Sequence, residues 1–347
     1  MNVAAVGWAL GAAALFGFST PAAKALLGRV DPWLLAGLLY LGSGLGLALW
    51  RALRPKGGAG ETALARRDLP WLAGAIFFGG VAGPVLLMAG LSQTEASAAS
   101  LFLTLEGVAT ALIAWFVFHE NFDRRIALGM GLIASGAVVL SWQGAAAETG
   151  MAGPLALTGA CVAWGIDNNL TRKVSLADPA EIAMIKGLAA GTVNLTFGLL
   201  AGAALPSASI LALAGVVGFL GYGVSLVLFV LALRHLGTAR TGAYFSTAPF
   251  LGAAAATFTL GEPVTLQLAA TGALMGAGVW LHLTEKHAHE HAHEPLGHAH
   301  MHVHDEHHRH AHGPNDAPGE PHAHWHRHPG MKHSHPHVPD MHHQHRH

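Results

Sequence analysis

The organisation of the chain shows in two stretches, TEASAASLFLTLEGVATALIAWFVFHE at residues 94–120 and LGTARTGAYFSTAPFLGAAAATFTLGE at residues 236–262. They have the same length and align without a gap, so that Glu120 lies opposite Glu262. Each carries an apolar run long enough for a helix to cross the hydrocarbon core of a bilayer, which takes about 20 residues. The chain is therefore expected to repeat one membrane-embedded unit.

Apolar runs of this kind continue on both sides of the two stretches. Hydrophobic residues make up 52% of the 347 residues and charged residues only 11%, whereas a soluble domain has about 25% charged residues. Loops between the runs are short, which predicts antiparallel helices packed into one all-α bundle. We expect ten transmembrane helices, at residues 3–23, 33–51, 70–91, 96–118, 126–143, 152–171, 180–201, 208–233, 238–260 and 264–284.

A second pair of landmarks supports the repeat. Phe16-Gly17 is followed by Asp31-Pro32 with nearly the same spacing at which Trp164-Gly165 is followed by Asp178-Pro179. Each copy holds five of the expected helices, and an odd number forces the two copies into opposite orientations. Inverted repeats are a recurrent architecture of secondary transporters, with the substrate site at the interface between the repeats.

These features resemble the EamA family of the drug/metabolite transporter (DMT) superfamily. The matching pieces are the two five-helix halves, Ala163-Trp164-Gly165, Ala248-Pro249 and Gly261-Glu262-Pro263. The chain departs from the pattern in its first half, where Gly107 stands opposite Pro249. The resemblance implies a ten-helix bundle and proton-driven or facilitated movement of small metabolites, frequently export. It names no solute, because the motifs are structural.

The distribution of basic residues predicts the orientation of the bundle. With the N-terminus inside, the inner loops carry eleven Lys and Arg residues and the outer loops only Lys24 and Arg29. Cytoplasmic loops hold such an excess. We expect a multi-pass protein of the bacterial inner membrane with both termini in the cytoplasm.

Ionisable residues inside the expected helices are candidates for the solute path, because each costs several kcal/mol in hydrocarbon unless it is paired or hydrated. Glu106 lies in the fourth helix, Asp167 with Asn168 and Asn169 in the sixth, and Lys186 in the seventh. Asp167 and Lys186 fall at similar depths and are expected to pair. Two alternatives remain: Asp167 and Lys186 extend to the inner interface, or Glu106 is a neutral hydrogen-bonding group. Further candidates for the path are Ser19, Thr20, Trp164, Tyr244 and Ser246.

Residues 285–347 form a separate region with 23 of the 26 histidines. Its composition favours a disordered, cytoplasmic coil. Imidazole binds Zn²⁺ and Ni²⁺ well, so the tail is expected to bind divalent metal ions; the alternative is a solvated tail without a metal role. The candidate metal ligands are His287, His289, His291, His293, His298, His300, His302, His304, His307, His308, His310, His312, His322, His324, His326 and His328.

Three regions follow: a first five-helix repeat at 1–143, a second at 152–284, and the tail. The favoured function is a secondary transporter, an exporter of a small organic metabolite that needs no cofactor. One alternative is an exporter of Ni²⁺, Co²⁺ or Zn²⁺ with the tail as metal collector. Another is a membrane-tethered metal buffer or sensor without transport. No enzyme is expected, since no nucleophile–base motif occurs. The expected partners are the solute and the lipid bilayer, without nucleic acid.

Overall fold

In the computed structural model the described residues between Val3 and Leu283 are mainly helical, and the helices coincide with the apolar runs of the sequence. It describes residues 3–53, 64–118, 124–141, 151–174, 177–283, 288–293, 296–302, 322–328 and 331–336, with only the backbone in the last four ranges. The helices α1 to α13 are Val3–Leu27, Pro32–Leu53, Leu69–Ala75, Gly83–Ser92, Ala96–Phe102, Leu105–Phe118, Arg124–Ser141, Ala152–Val174, Pro179–Leu200, Ala208–Gly218, Ser225–Phe245, Ala248–Leu260 and Leu266–Leu283. A 3-10 turn, Arg66–Asp68, precedes α3.

Two of the expected helices contain a π-helical segment. Ile76–Ala82 joins α3 to α4, and Phe219–Val224 joins α10 to α11. In both cases the backbone stays helical through the π segment. A break at residues 103–104 separates α5 from α6, and a break at 246–247 separates α11 from α12. The distance along the chain from the first π segment to the second equals that from the first break to the second, so the irregularities repeat with the two halves.

The backbone of α11 stays helical across the turn expected after residue 233. The ring centroids of Phe229 and Phe245 are nevertheless 4.8 Å apart. Sixteen residues of straight helix would separate them by about 24 Å. The axis of α11 must therefore bend sharply between these two residues.

The outside of the bundle is apolar. Within the described residues, six helical stretches are long and apolar enough to cross a membrane, and three shorter apolar helices accompany them. Large hydrophobic side chains such as Phe116, Phe258 and Leu266 are exposed on the outer surface. A soluble protein rarely exposes so much contiguous apolar surface, whereas a bilayer covers it. Helix α8 is less apolar because Asp167 and its two asparagine neighbours interrupt it.

The two halves of the chain interlock. Helix α1 packs against α11 and α12 of the second half, and α8 packs against α4 and α6 of the first. The approach is close at Gly17, where an added Cβ would lie 2.5 Å from the carbonyl oxygen of Ala248. Gly165 is the matching point on α8, where an added Cβ would lie 2.8 Å from the Cβ of Ala109. Each half thus provides a helix to the other.

The described parts of the tail differ from the disordered coil expected of residues 285–347. The backbone forms four strands, β1 at Ala288–His293, β2 at Leu296–His302, β3 at His322–His328 and β4 at Met331–Pro336. Strand β1 pairs with β4, and β2 with β3, both antiparallel. The His-x-His steps of these segments have the period of two that characterises a strand. Disorder of residues 285–347 as a whole stays a prediction.

Candidate functional site

A cavity between the two halves is lined by charged and amide side chains of α6, α8 and α9. It has about 660 Å³ of empty space, including the part that opens toward solvent. Glu106, Asp167, Asn168 and Lys186 line one part of it. Its aromatic lining residues are Phe16, Tyr40, Trp164, Tyr222, Phe229 and Phe245.

Lys186 and Asp167 form the expected ion pair across the α8–α9 hairpin. The Lys186 Nζ lies 2.6 Å from Asp167 Oδ1 and 2.8 Å from Oδ2, and it also donates to Thr171 Oγ1 at 3.2 Å. The Thr171 hydroxyl donates to Asp167 Oδ1 at 2.8 Å. The side chains are only 4% and 11% exposed, respectively. These three contacts use all three N–H donors of the Lys186 ammonium group. The charges of Lys186 and Asp167 compensate each other, so the ion pair has no net charge.

Glu106 follows the break at 103–104 and begins the first turn of α6. The break was not expected, because the sequence predicted one continuous helix over 96–118. The side-chain amide of Asn168 donates to Glu106 Oε1 at 2.8 Å and to Thr110 Oγ1 at 3.2 Å. Among the residues that the structure describes, no group donates a hydrogen bond to Glu106 Oε2. Glu106 therefore presents one carboxylate oxygen to the cavity without a protein partner.

The π segment of the first half exposes backbone carbonyls beside this cavity. Both Tyr40 Oη, at 2.6 Å, and Trp164 Nε1, at 3.0 Å, donate to the carbonyl oxygen of Gly79. Asn194 donates to the carbonyl of Gly80 at 2.8 Å. Side chains from α2, α8 and α9 thus satisfy carbonyls that a π turn leaves available, and such turns frequently occur at functional sites. The hydrogen bonds fix the orientation of the Tyr40 and Trp164 rings.

Five of the candidate path residues do not line the cavity. Asn169 donates to the backbone of Gly165 and Thr110, and the hydroxyls of Ser19 and Ser246 donate to backbone carbonyls of their own helices. Thr20 is buried in α1, and Tyr244 packs in an apolar cluster with Ala5 and Ala9. The described contacts of Asn169, Ser19 and Ser246 are those of structural polar groups in membrane helices.

Glu262 caps a helix that is distant in the chain. Its carboxylate accepts from the backbone amides of Ala96, at 2.8 Å, and Ser97, at 2.7 Å, at the start of α5. Lys24 caps the preceding helix end, donating to the carbonyl of Leu91 at 2.6 Å and to that of Thr94 at 2.7 Å. Glu120, which aligns with Glu262, lies outside the described residues.

The sequence did not predict the aromatic wall of the cavity, which consists of Phe16, Tyr40, Trp164, Tyr222, Phe229 and Phe245. Phe16 contacts Trp164 and Phe245, with ring centroids 5.9 Å and 5.4 Å apart, and Tyr40 contacts Tyr222 at 5.3 Å. Of the cavity aromatics only Trp164 was a candidate. The others look in the sequence like packing or lipid-facing residues, and their convergence depends on how α1, α2 and α11 meet.

Ten of the sixteen candidate metal ligands of the tail lie in strands β1, β2 and β3. His287, His304, His307, His308, His310 and His312 lie outside the described residues, and the other ten have only a described backbone. Among the side chains that the structure does describe, no group of three or more His, Cys, Asp or Glu could hold a metal ion. Metal binding by the tail stays a prediction.

Two copies of one family model match the chain, at residues 3–142 and 151–284, and the model describes the EamA-like transporter family. The chain belongs to that family. A relative from Methanothermobacter thermautotrophicus, described as an uncharacterized transporter, is 28% identical over 77% of this chain and 82% of its own length. Family and relatives indicate a multi-pass membrane transporter rather than an enzyme.

Two further similarities concern the repeat and the fold. A probable 4-amino-4-deoxy-L-arabinose-phosphoundecaprenol flippase subunit, ArnE from Pseudomonas paraeruginosa, is 37% identical over 95% of its length but only 32% of this chain. That relative is therefore the size of roughly half of this bundle. One solved protein structure matches 81% of this chain and 96% of its own with a TM-score of 0.59 at 19% identity, which shows a shared fold.

Proposed function

We propose that this EamA-family protein is a secondary exporter of a small organic metabolite, which binds in the cavity between the two halves. The observation that carries the proposal is that one cavity unites side chains of both halves around an incompletely bonded carboxylate, Glu106, and a closed ion pair. Ionisable groups are expensive in a membrane and persist there chiefly along substrate or ion pathways.

The bundle is proposed to be an inverted repeat of ten spans, with residues 1–143 and 152–284 as its halves and both termini in the cytoplasm of a bacterial inner membrane. The matched π segments and helix breaks and the half-sized ArnE relative support the repeat. The excess of basic residues in alternate loops supports the orientation. Reporter fusions after residue 60 and at the C-terminus should both report the cytoplasm; an external C-terminus would refute the orientation.

Transport by the reconstituted protein tests the function. A growth-resistance screen of an overexpressing strain against amines, amino-acid analogues and metal salts supplies the first substrate. Uptake of that solute into proteoliposomes should fall about tenfold or more in Glu106→Gln, because a bond to a charged group is worth about 1.5–3 kcal/mol. Glu95→Gln is the matched control, since Glu95 is an exposed carboxylate outside the cavity.

The histidine content of the tail supports a second candidate, export of Ni²⁺, Co²⁺ or Zn²⁺ with the tail as collector. A buffer or sensor without transport is the third. The cavity favours the organic solute, because the part of its lining that the structure describes contains aromatic rings and no histidine or cysteine. Deleting residues 287–347 separates these candidates. Unchanged uptake of an organic solute makes the tail an accessory; a sharp loss of metal resistance with the bundle still inserted favours metal export.

A further inference from the structure

The described side chains that line the cavity carry more acidic than basic groups. Lys186 and Asp167 neutralise each other, and the three donors of the Lys186 ammonium are taken by Asp167 and Thr171. Glu106 is the remaining ionisable carboxyl on the described lining, and no described basic group pairs with it. When Glu106 is ionised, the described lining of the cavity therefore has one uncompensated negative charge.

The partners of Glu106 leave room for a ligand. The Asn168 amide donates only to Oε1, and Oε2 has no donor among the described residues. An ionised carboxylate accepts up to four hydrogen bonds. Water alone could fill these positions, but a solute that carries its own N–H donors and a positive charge would supply both the bonds and the missing charge.

The aromatic rings fit the same kind of solute. Six aromatic residues line the cavity, and their rings form a connected set through Phe16, Tyr40 and Tyr222. Faces of aromatic rings attract a cation by about 0.5–2 kcal/mol, most strongly where water is excluded. The rings also provide apolar surface for the body of an amphipathic molecule. A solute anion would find no free basic group on the described lining.

We infer that the transported solutes are organic cations, amines or quaternary ammonium compounds with an apolar or aromatic body, whose positive charge pairs with Glu106 while the body packs against the aromatic wall. That these solutes are transported rests on the proposed function, whereas their binding in the cavity does not depend on transport. This mode of binding excludes anions and disfavours zwitterions, since a solute carboxylate would have to displace Asp167 from Lys186.

Three probes of one shape test the charge preference: 2-phenylethylamine, 2-phenylethanol and 3-phenylpropionate. Tritiated 2-phenylethylamine is bound to the full-length protein in nanodiscs, and the unlabelled probes compete for it. We expect the amine to compete about tenfold or more better than the alcohol, as one desolvated cation contact requires, and the carboxylate not to compete.

Two variants test whether Glu106 is the group that pairs with the positive charge of the solute. Glu106→Gln should weaken the binding of the amine about tenfold and change that of the alcohol, measured with tritiated alcohol, by less than about threefold. Glu95→Gln should change neither. Absence of amine binding to the wild-type protein, or preferred binding of 3-phenylpropionate, overturns the inference, as does an equal loss of amine and alcohol binding in Glu106→Gln.

The same preparation separates this inference from the proposed function. If the amine binds in a Glu106-dependent way and no solute moves across proteoliposomes, the transport proposal fails while the cation site stands. If proteoliposomes transport an anionic or neutral metabolite and the amine does not bind, the transporter stands and the cation inference fails.

Discussion

Replacing Lys186 by Met tests whether the buried ion pair holds α8 against α9. The change keeps the length and apolar stem of the side chain but removes the ammonium, leaving the carboxylate of Asp167 with Thr171 as its described side-chain donor. Breaking a buried pair in this way costs about 3–5 kcal/mol, because an uncompensated charge stays buried. Asp167 lines the cavity and is 11% exposed, so some hydration is available to it. We therefore expect the lower end, about 3 kcal/mol.

A double-mutant cycle isolates the pair from other effects of the substitution. Asp167→Asn removes the charge that Lys186→Met leaves unpaired, so the double variant should be within about 1 kcal/mol of the wild type. Because each single variant breaks the same pair at a cost of about 3 kcal/mol, the coupling free energy should be about 5 kcal/mol. The free energy of unfolding is measured by titrating the protein from mild detergent into sodium dodecyl sulfate. Arg29→Met, an exposed position after α1, is the control for losing a positive charge.

Two results would contradict the reasoning about the pair. One is a Lys186→Met variant with the same free energy of unfolding as the wild type to within about 0.5 kcal/mol, which is the usual error of additivity. The other is a double variant as unstable as the sum of the two single variants. Either would mean that Asp167 finds an equivalent partner without Lys186, and that the pair does not fix the hairpin.

Three further predictions concern the π segment, the cap on α5 and the tail. Gly79→Ala places a Cβ 1.8 Å from Asp167 Oδ2, so it should displace the carboxylate and reduce transport. Gly272→Ala, where nothing lies within 4 Å of the added Cβ, should leave transport unchanged, and equal activity of the two variants would refute the contact. Glu262→Gln leaves one neutral acceptor oxygen for the two backbone amides at the start of α5 and should lower the free energy of unfolding by about 1–2 kcal/mol, whereas Glu181→Gln should not. An unchanged value would show that the cap is not needed. The tail peptide, residues 287–347, should take up more than one Ni²⁺ or Zn²⁺ by calorimetry at pH 7.5 and release it near pH 5, because free imidazole becomes protonated below about 6.5; no uptake at pH 7.5 would remove the metal hypothesis.

Hydropathy and the cost of burying charge account for what the sequence could predict. The helix positions follow from apolar runs of membrane length, and the structure has helices over each of them. Asp167 and Lys186 could be paired from the sequence because both lie inside apolar runs at similar depth, where an unpaired charge is costly. The family followed from local motifs such as Ala163-Trp164-Gly165 and Gly261-Glu262-Pro263, and the match of the family model confirms it.

Long-range geometry accounts for what the sequence could not predict. The helix capped by Glu262 lies 166 residues away from it in the chain, at Ala96. No proline marks the break before Glu106, although Pro249 follows the corresponding break in the second half. The aromatic wall depends on the bend of α11, because this bend places Phe245 in contact with Phe229 and Phe16. None of these contacts has a signal in the local periodicity of the sequence.

The two halves share a backbone plan but differ in the side chains that they place around the cavity. The alignment sets Ala248 opposite Glu106, and it sets Ser19 opposite Asp167. The charged groups therefore lie on α6, α8 and α9, while α1 and α11 supply the rings of Phe16, Phe229 and Phe245 to the lining. In the proposed inverted repeat, a cavity with equivalent side chains from both halves would accept a solute in two orientations. Here the first half supplies Glu106, the lining carboxylate without a described basic partner, and the matching position of the second half is Ala248, so a cationic solute would have a single favourable orientation, with its charged end toward α6.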